Sequence, residues 1–267
     1  MEIRADDPIW QALYEQVQIE AAEEPILASY LHAVVLNHRS LDDALSFHLA
    51  SKLSSPSLQA MQIRDVIDSA FRAQPDIGME FRADLKAICE RDPAAHSVAE
   101  PFLHFKGFHA LESYRIGHWL WENGRKGLAL HLQNRISELF GVDIHPAASI
   151  GKGILIDHAT SVVIGETAIV EDNVSLLHEV TLGGTGNIKG DRHPKIRKGV
   201  LIGAGAKVLG NVEIGEYSKI AASSVVLTDI PPHCTAAGVP ARVVGRPDAD
   251  IPAFEMNQMI VRRKGRL

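Results

Sequence analysis

Along the first half of the chain the apolar residues recur at intervals of three and four, the spacing of one face of an α-helix. Asp7-Pro8 opens the first such segment, with proline where a missing N–H costs nothing, and Ile9, Leu13 and Val17 fall on one face. Ser40, with Asp43 three residues on, resembles a capping box and starts a segment carrying Leu41, Leu45, Leu49 and Leu53. The same spacing predicts helices over Ile63–Arg72, Glu80–Glu90, Phe108–Glu122 and Leu128–Phe140, and Gly141 stands where a C-terminal cap belongs. His32, His48, His104, His109, His118 and His131 lie in this half, where packing or surface roles are expected of them.

After Gly141 the period changes to six. Every sixth residue from Ile144 reads Ile144, Ile150, Ile156, Val162, Ala168, Val174 and Val180; a second ladder reads Ile196, Ile202, Val208, Ile214, Ile220 and Val226. Neither a helix nor an alternating strand has this period. A hexad repeat predicts a parallel β-solenoid with three flat faces per coil, its aliphatic residues stacked inside. Gly151, Gly203 and Gly215 follow ladder residues, where a corner is expected to need a permissive backbone, and Ala148, Ala206, Ser218 and Ser224 suit a crowded interior. Such a rod needs caps, expected from the helical half at one end and from the chain after Ile230 at the other. The ladder breaks once, over Gly183–Pro194, and an insertion in a solenoid projects as a loop on one face.

Composition narrows the class. The 267 residues suffice for one large domain or two ordinary ones, and a net charge of -6 argues against nucleic acid or an anionic membrane as partner. Two cysteines in no metal-like spacing make a disulfide framework unexpected, and reduced cytoplasm is the default. Glu2, Asp6 and Asp7 open the chain without an apolar segment, so no signal peptide is expected, and no apolar run is long enough to span a bilayer.

The candidate chemistry lies where the repeat is decorated. Asp157-His158 occupies a corner at which other coils carry glycine and small residues, and a corner histidine points outward. Asp143 stands fifteen residues upstream, a spacing that puts the two on neighbouring faces, where a carboxylate can hold one imidazole nitrogen while the other faces a substrate. His193 closes the projecting loop behind Asp191-Arg192.

The helical half, the hexads, and the segments Arg91-Asp92-Pro93-Ala94, Asp143-Ile144-His145-Pro146, Asp157-His158-Ala159-Thr160, Val180–Gly186, Gly190–Pro194 and Ala236–Arg242 together resemble the serine acetyltransferases over nearly the whole chain. The resemblance implies an α+β chain: a helical bundle over 1–140, a left-handed parallel β-helix over 141–245 and a tail over 246–267. It implies a homotrimer, commonly paired through the helical halves into a hexamer, with sites between adjacent solenoids. It implies His158 as general base with Asp143 as its orienting partner, and L-serine held by Asp92, Asp157, His158, Arg192 and His193. Acetyl-CoA is the implied co-substrate, with no metal; Gly184, Thr185, Ala204 and Gly205 are small enough to admit its pantetheine arm, and Lys219 and Arg242 are candidates for its phosphates. L-cysteine is the implied feedback inhibitor. Many relatives end in an acidic peptide whose terminal isoleucine enters O-acetylserine sulfhydrylase, whereas this chain ends in the basic Arg262-Arg263-Lys264-Gly265-Arg266-Leu267. Three rivals share the architecture. A sugar or xenobiotic acetyltransferase has no need of Arg192 and Asp92, a zinc hydratase would draw on His145, His158, His178 and His193, and a scaffold would have lost its site.

Overall fold

The computed structural model describes residues 7–186 and 189–260. Glu2 and Asp6, the loop residues Asn187 and Ile188, and the basic terminus with Leu267 lie outside the described residues.

The predicted helices form with shifted ends: α1 (Pro8–Glu23), α3 (Leu41–Leu53), α4 (Ala60–Ala73), α5 (Asp76–Arg91), α7 (Lys106–Glu122) and α8 (Lys126–Phe140). Three elements escape the periodicity: α2 (Pro25–Leu31), a π-helical turn (His32–Leu36) and the six-residue α6 (Ala99–His104). Each is too short to complete two turns of pattern. Asp7 caps α1 by accepting from the backbone N–H of Ile9 and Trp10, both at 3.2 Å. Ser40 accepts from Asp43 N–H at 3.2 Å, but the Asp43 carboxylate turns to His38 and Arg64 instead of closing the box. Gly141 ends α8 at φ 65°. His48 and His109 are buried among aromatic rings, and desolvation holds their pKa values down to about 2 and about 3, so both pack as neutral rings.

The solenoid has three faces. Face 1 stacks β1 (Val142–Ile144), β4 (Val162–Ile164), β7 (Thr181–Gly183), β10 (Lys207–Leu209) and β13 (Val225–Val226). Face 2 stacks β2 (Ser149–Ile150), β5 (Ile169–Val170), β8 (Lys195–Ile196) and β11 (Glu213–Ile214). Face 3 stacks β3 (Leu155–Ile156), β6 (Ser175–Leu176), β9 (Leu201–Ile202), β12 (Lys219–Ile220) and β14 (Thr235–Gly238), closed by the antiparallel β15 (Ala241–Gly245). All thirteen ladder residues are buried.

Their phase differs from a single ladder, because the first coil is longer. Val142 pairs with Val162, twenty residues on, whereas Val163 pairs with Thr181, eighteen on. Ile156 therefore stacks on Leu176, not Val174, and Ile144 on Ile164, not Val162. Val162, Ala168, Val174 and Val180 line the interior two positions earlier, in the row of Ala148 and Ala206. The two extra residues fall in the turn at Asp157–Ser161. The projecting loop likewise lengthens its coil, so that Val170 pairs with Ile196.

The corner glycines serve close approach, not left-handed backbone. A Cβ on Gly203 would lie 2.6 Å from Ala222 N, and one on Gly215 would lie 2.4 Å from Pro232 N; Gly151 is hemmed in by Asp172. The left-handed positions come two residues later, at Gly153, Gly205 and Tyr217.

The helical half caps the first coil through a buried ion network. Arg115 donates to Asp84 at 2.5 Å and to Gly151 O at 2.7 Å, while Asp84 accepts from Ile154 N–H at 2.7 Å. Glu80 and Glu112 complete the ring of carboxylates around the one guanidinium. Burial foremost, then the Asp84 charge, push the Glu112 carboxyl well above the usual range. Past β15 the chain does more than cap the far end. It turns back through α9 (Pro252–Glu255) along face 3, where Ser175 donates to Ala253 O and Phe254 lies under the Arg91 guanidinium. Among the described residues no helix is long and apolar enough to cross a membrane.

Candidate active site

The longer first coil builds one half of the site. In the turns from face 3 to face 1, Ser161, Glu179, Gly205 and Ser223 all take positive φ as a regular corner feature. His158 (φ 55°) and Ala159 (φ 61°) do so only here, and non-glycine residues held left-handed mark local strain. The turn is pinned by Ala159 N–H donating to Asp157 O and by Lys106 Nζ donating to Thr160 Oγ1 at 2.6 Å. Gly107 lets the start of α7 approach, since a Cβ there would meet Ile156 O. His158 thus stands out into solvent, its side chain 73% exposed, with Nε2 3.8 Å from Asp157 Oδ1. The ring of His178, one coil below, meets it edge-on with centroids 5.7 Å apart.

Asp92, at the C-terminus of α5, faces the same space. Together with Asp157, His158, Lys106, Phe105 and His104 it lines a cavity of about 520 Å³ between the helical half and the first coil. Burial foremost raises the Asp157 carboxyl, His158 opposes that shift, and the Asp92 charge adds to it. Two carboxylates beside an exposed imidazole form a pocket for a small cationic group next to a base.

Arg192 and His193 are elsewhere. They end the projecting loop at the corner from face 1 to face 2, bonded to Glu166 and Thr167 and within electrostatic reach of His145. Arg192 pairs with Glu166 at 2.6 Å; Lys195 Nζ holds the loop by donating to Thr167 O and His193 O. Burial foremost, then the Arg192 charge, hold the His193 imidazole below its ordinary pKa. Asp143 projects outward from β1 near this corner, adds its charge to His145, and accepts from Gln133 Nε2 at 2.7 Å. Among the described residues it makes no hydrogen bond to His158 of its own chain. Asp143 lies on face 1 toward the turn into face 2, whereas His158 lies in the turn from face 3 into face 1, at the opposite edge.

The expected acetyl-CoA contacts divide between the same two corners. Gly184 and Thr185 begin the loop beside His193, whereas Ala204 and Gly205 lie below His178, whose carbonyl accepts from Gly205 N–H. Arg242 is exposed on β15. Lys219 is buried under the returning tail and donates to the carbonyls of Asn257 (3.2 Å) and Met259 (2.7 Å), so in this arrangement its charge is not open to a phosphate. Among the described residues no group of three His, Cys, Asp or Glu side chains could hold a metal ion.

Glu166, Thr167, Lys106 and Gln133 were invisible to spacing, because each joins the site through a partner twenty or more residues away or on another element. His178, an unrepeated histidine at a corner, was visible in the repeat, but only as a candidate ligand of the zinc alternative and not as a neighbour of His158.

Comparison with known proteins agrees in both halves. Residues 9–113 match the family "Serine acetyltransferase, N-terminal", and residues 193–228 match "Bacterial transferase hexapeptide (six repeats)". The serine acetyltransferase of Escherichia coli K12 is 55% identical over 250 residues, covering 94% of this chain and 92% of that protein. A serine acetyltransferase solved in complex with cysteine superposes with a TM-score of 0.93 at 52% identity, covering 95% of this chain and 98% of that one. The Brucella abortus S19 serine acetyltransferase solved with coenzyme A gives 0.89 at 50% identity, covering 90% and 96%.

Proposed function

The chain belongs to the serine acetyltransferase family, and on that premise we propose how its corners transfer the acetyl group of acetyl-CoA to the hydroxyl of L-serine. The two half-sites flank face 1, one at each edge. A site that needs both is completed when the right edge of one solenoid meets the left edge of the next. Repeated around a threefold axis this head-to-tail contact closes into a ring. Val163 stands exposed on the face that then turns inward. Ile26 and Leu27, exposed on α2, offer the contact through which two such trimers pair.

In that assembly the serine ammonium lies between Asp92 and Asp157, and its carboxylate meets Arg192 and His193 of the neighbouring chain. His158 takes the hydroxyl proton, with Asp143 of the neighbour holding the ring as orienting carboxylate. The alkoxide oxygen bonds to the thioester carbonyl carbon. The tetrahedral intermediate then collapses with cleavage of the C–S bond, and the imidazolium returns the proton to the thiolate. The products are O-acetyl-L-serine and CoA, without an acyl-enzyme. L-cysteine presents the same ammonium and carboxylate, so it competes for the amino-acid half. We place the reaction in the cytoplasm, where Cys89 and Cys234 stay reduced.

The observation that carries this reading is the exposed His158 on a corner with no counterpart in the solenoid, flanked by Asp157 and Asp92. Thiol release from acetyl-CoA with L-serine tests it. His158→Ala should lose about 10²–10⁴ in kcat, the range for a general base. Mixed trimers of His158→Ala and Arg192→Ala chains should recover activity that neither has alone. Equal release with a sugar hydroxyl, or mixed trimers as inactive as their parents, would count against the reading.

A further inference from the structure

Thr167, in the turn after β4, lies under the His193 ring. Its hydroxyl oxygen accepts from the backbone N–H of Arg192 at 3.0 Å and of His193 at 3.1 Å. Those two bonds use both lone pairs of the hydroxyl. The Thr167 backbone N–H donates to His193 Nδ1 at 3.1 Å, and the hydroxyl oxygen is 2.9 Å from the same nitrogen. An N–H can donate to Nδ1 only if Nδ1 carries a lone pair. A proton on Nδ1 would point at the Thr167 N–H and find no free lone pair on Thr167 Oγ1. The hydroxyl's own proton goes to Nδ1 or to the Asp191 carboxylate, and in neither case does the oxygen gain a lone pair.

We infer that Thr167 is a positioning residue that locks His193 in the tautomer protonated at Nε2, so that His193 is a fixed neutral donor to a substrate oxygen and not a second base. The ring lies flat on Gly165, and its Nε2 faces Gly184 at the mouth of the loop. Arg192 and Lys195 oppose a second proton on the ring, and His145 adds to them when charged; Glu166 favours it but is already paired with Arg192, and the nearby Asp191 carboxylate is taken up by Lys195. One backbone amide and one hydroxyl therefore do for His193 what an orienting carboxylate does for a base, with the opposite result: among the described residues no carboxylate bonds to the ring to support an imidazolium.

The substrate half of this inference rests on the proposed role of the Arg192 corner, whereas the tautomer does not. Histidine-selective 15N labelling of the full-length protein, with His193 assigned by its loss in His193→Gln, reads the tautomer directly by magic-angle-spinning NMR. The expected spectrum has Nδ1 unprotonated and Nε2 protonated at pH 8, unchanged at pH 6. A protonated Nδ1 at either pH overturns the lock. In steady-state assays Thr167→Val should raise the serine KM about tenfold with a smaller fall in kcat, the loss of one hydrogen bond to a binding group, and Thr167→Ser should restore it. Serine and valine variants that are equally impaired overturn the part assigned to the hydroxyl. His193→Gln, which keeps a donor near Nε2, should retain more kcat/KM than His193→Leu. Equal loss in both, with the tautomer intact, overturns the substrate assignment and leaves the lock standing.

Discussion

Gly165→Ala tests the His193 corner by steric means alone. Gly165 lies in the turn after β4, and a Cβ there would stand 2.1 Å from both Cδ2 and Nε2 of the His193 ring and 2.8 Å from Cε1. Ordinary carbon contacts begin near 3.5 Å, so the ring or the backbone must give by roughly 1.4 Å. The backbone cannot, because Gly165 N–H donates to Leu182 O and Gly165 O accepts from Ala168 N–H within the stacked coils. The ring yields instead, and to do so it leaves the Thr167 N–H and hydroxyl. The lost bond costs about 1 kcal/mol and the overpacking about 1–3 kcal/mol. A displacement of this size at a substrate-positioning group lowers the rate about a hundredfold. The assay is thiol release across serine and acetyl-CoA concentrations, alongside thermal unfolding. Serine kcat/KM should fall about a hundredfold while the acetyl-CoA KM changes little and the fold survives. Gly127→Ala, where a Cβ meets nothing within 4 Å, is the matched control and should leave activity unchanged. A folded Gly165→Ala enzyme within threefold of wild type would refute the placement of His193 in the site.

Other consequences concern the joint between the two halves. Arg115→Ala leaves Asp84 and Glu112 buried, with the half-buried Glu80 beside them, around no cation, which should destabilise by about 3–5 kcal/mol and be seen as a large drop in unfolding temperature; a drop as small as that of a surface substitution would contradict the network's part in holding the cap. Because the folded pKa of Glu112 is raised, its contribution is full below its unfolded value and is lost as pH rises through the folded value. Glu112→Gln, a mimic of the protonated acid, should therefore gain stability relative to wild type as pH rises from about 5.5 to 8.5, and a difference that stays flat with pH argues that Glu112 is ionised. Lys106→Met removes the bond to Thr160 that pins the His158 turn, so kcat should fall several-fold with little change in either KM; a wild-type kcat would show that the turn holds itself.

The amino-acid sequence by itself determined the two architectures and the list of chemical groups. Ile144, Ile202 or Val208 is buried because period and polarity are local properties, written into each hexad whatever surrounds it. Asp157-His158 and Arg192-His193 could be singled out because they interrupt that pattern. Short elements such as α2, α6 and the π-helical turn were not legible, since fewer than two turns leave no period to read. Tertiary structure decided how the groups are shared out. Two residues added at the His158 corner changed the register of the rows that follow, and Asp143 and His158 do not meet within one chain because they stand at opposite edges of face 1. The tail that covers Lys219, the carboxylates gathered on Arg115, and the single threonine that sets the proton on His193 depend on side chains brought together from distant positions. Such contacts follow from stacking register and docking, which no local spacing encodes.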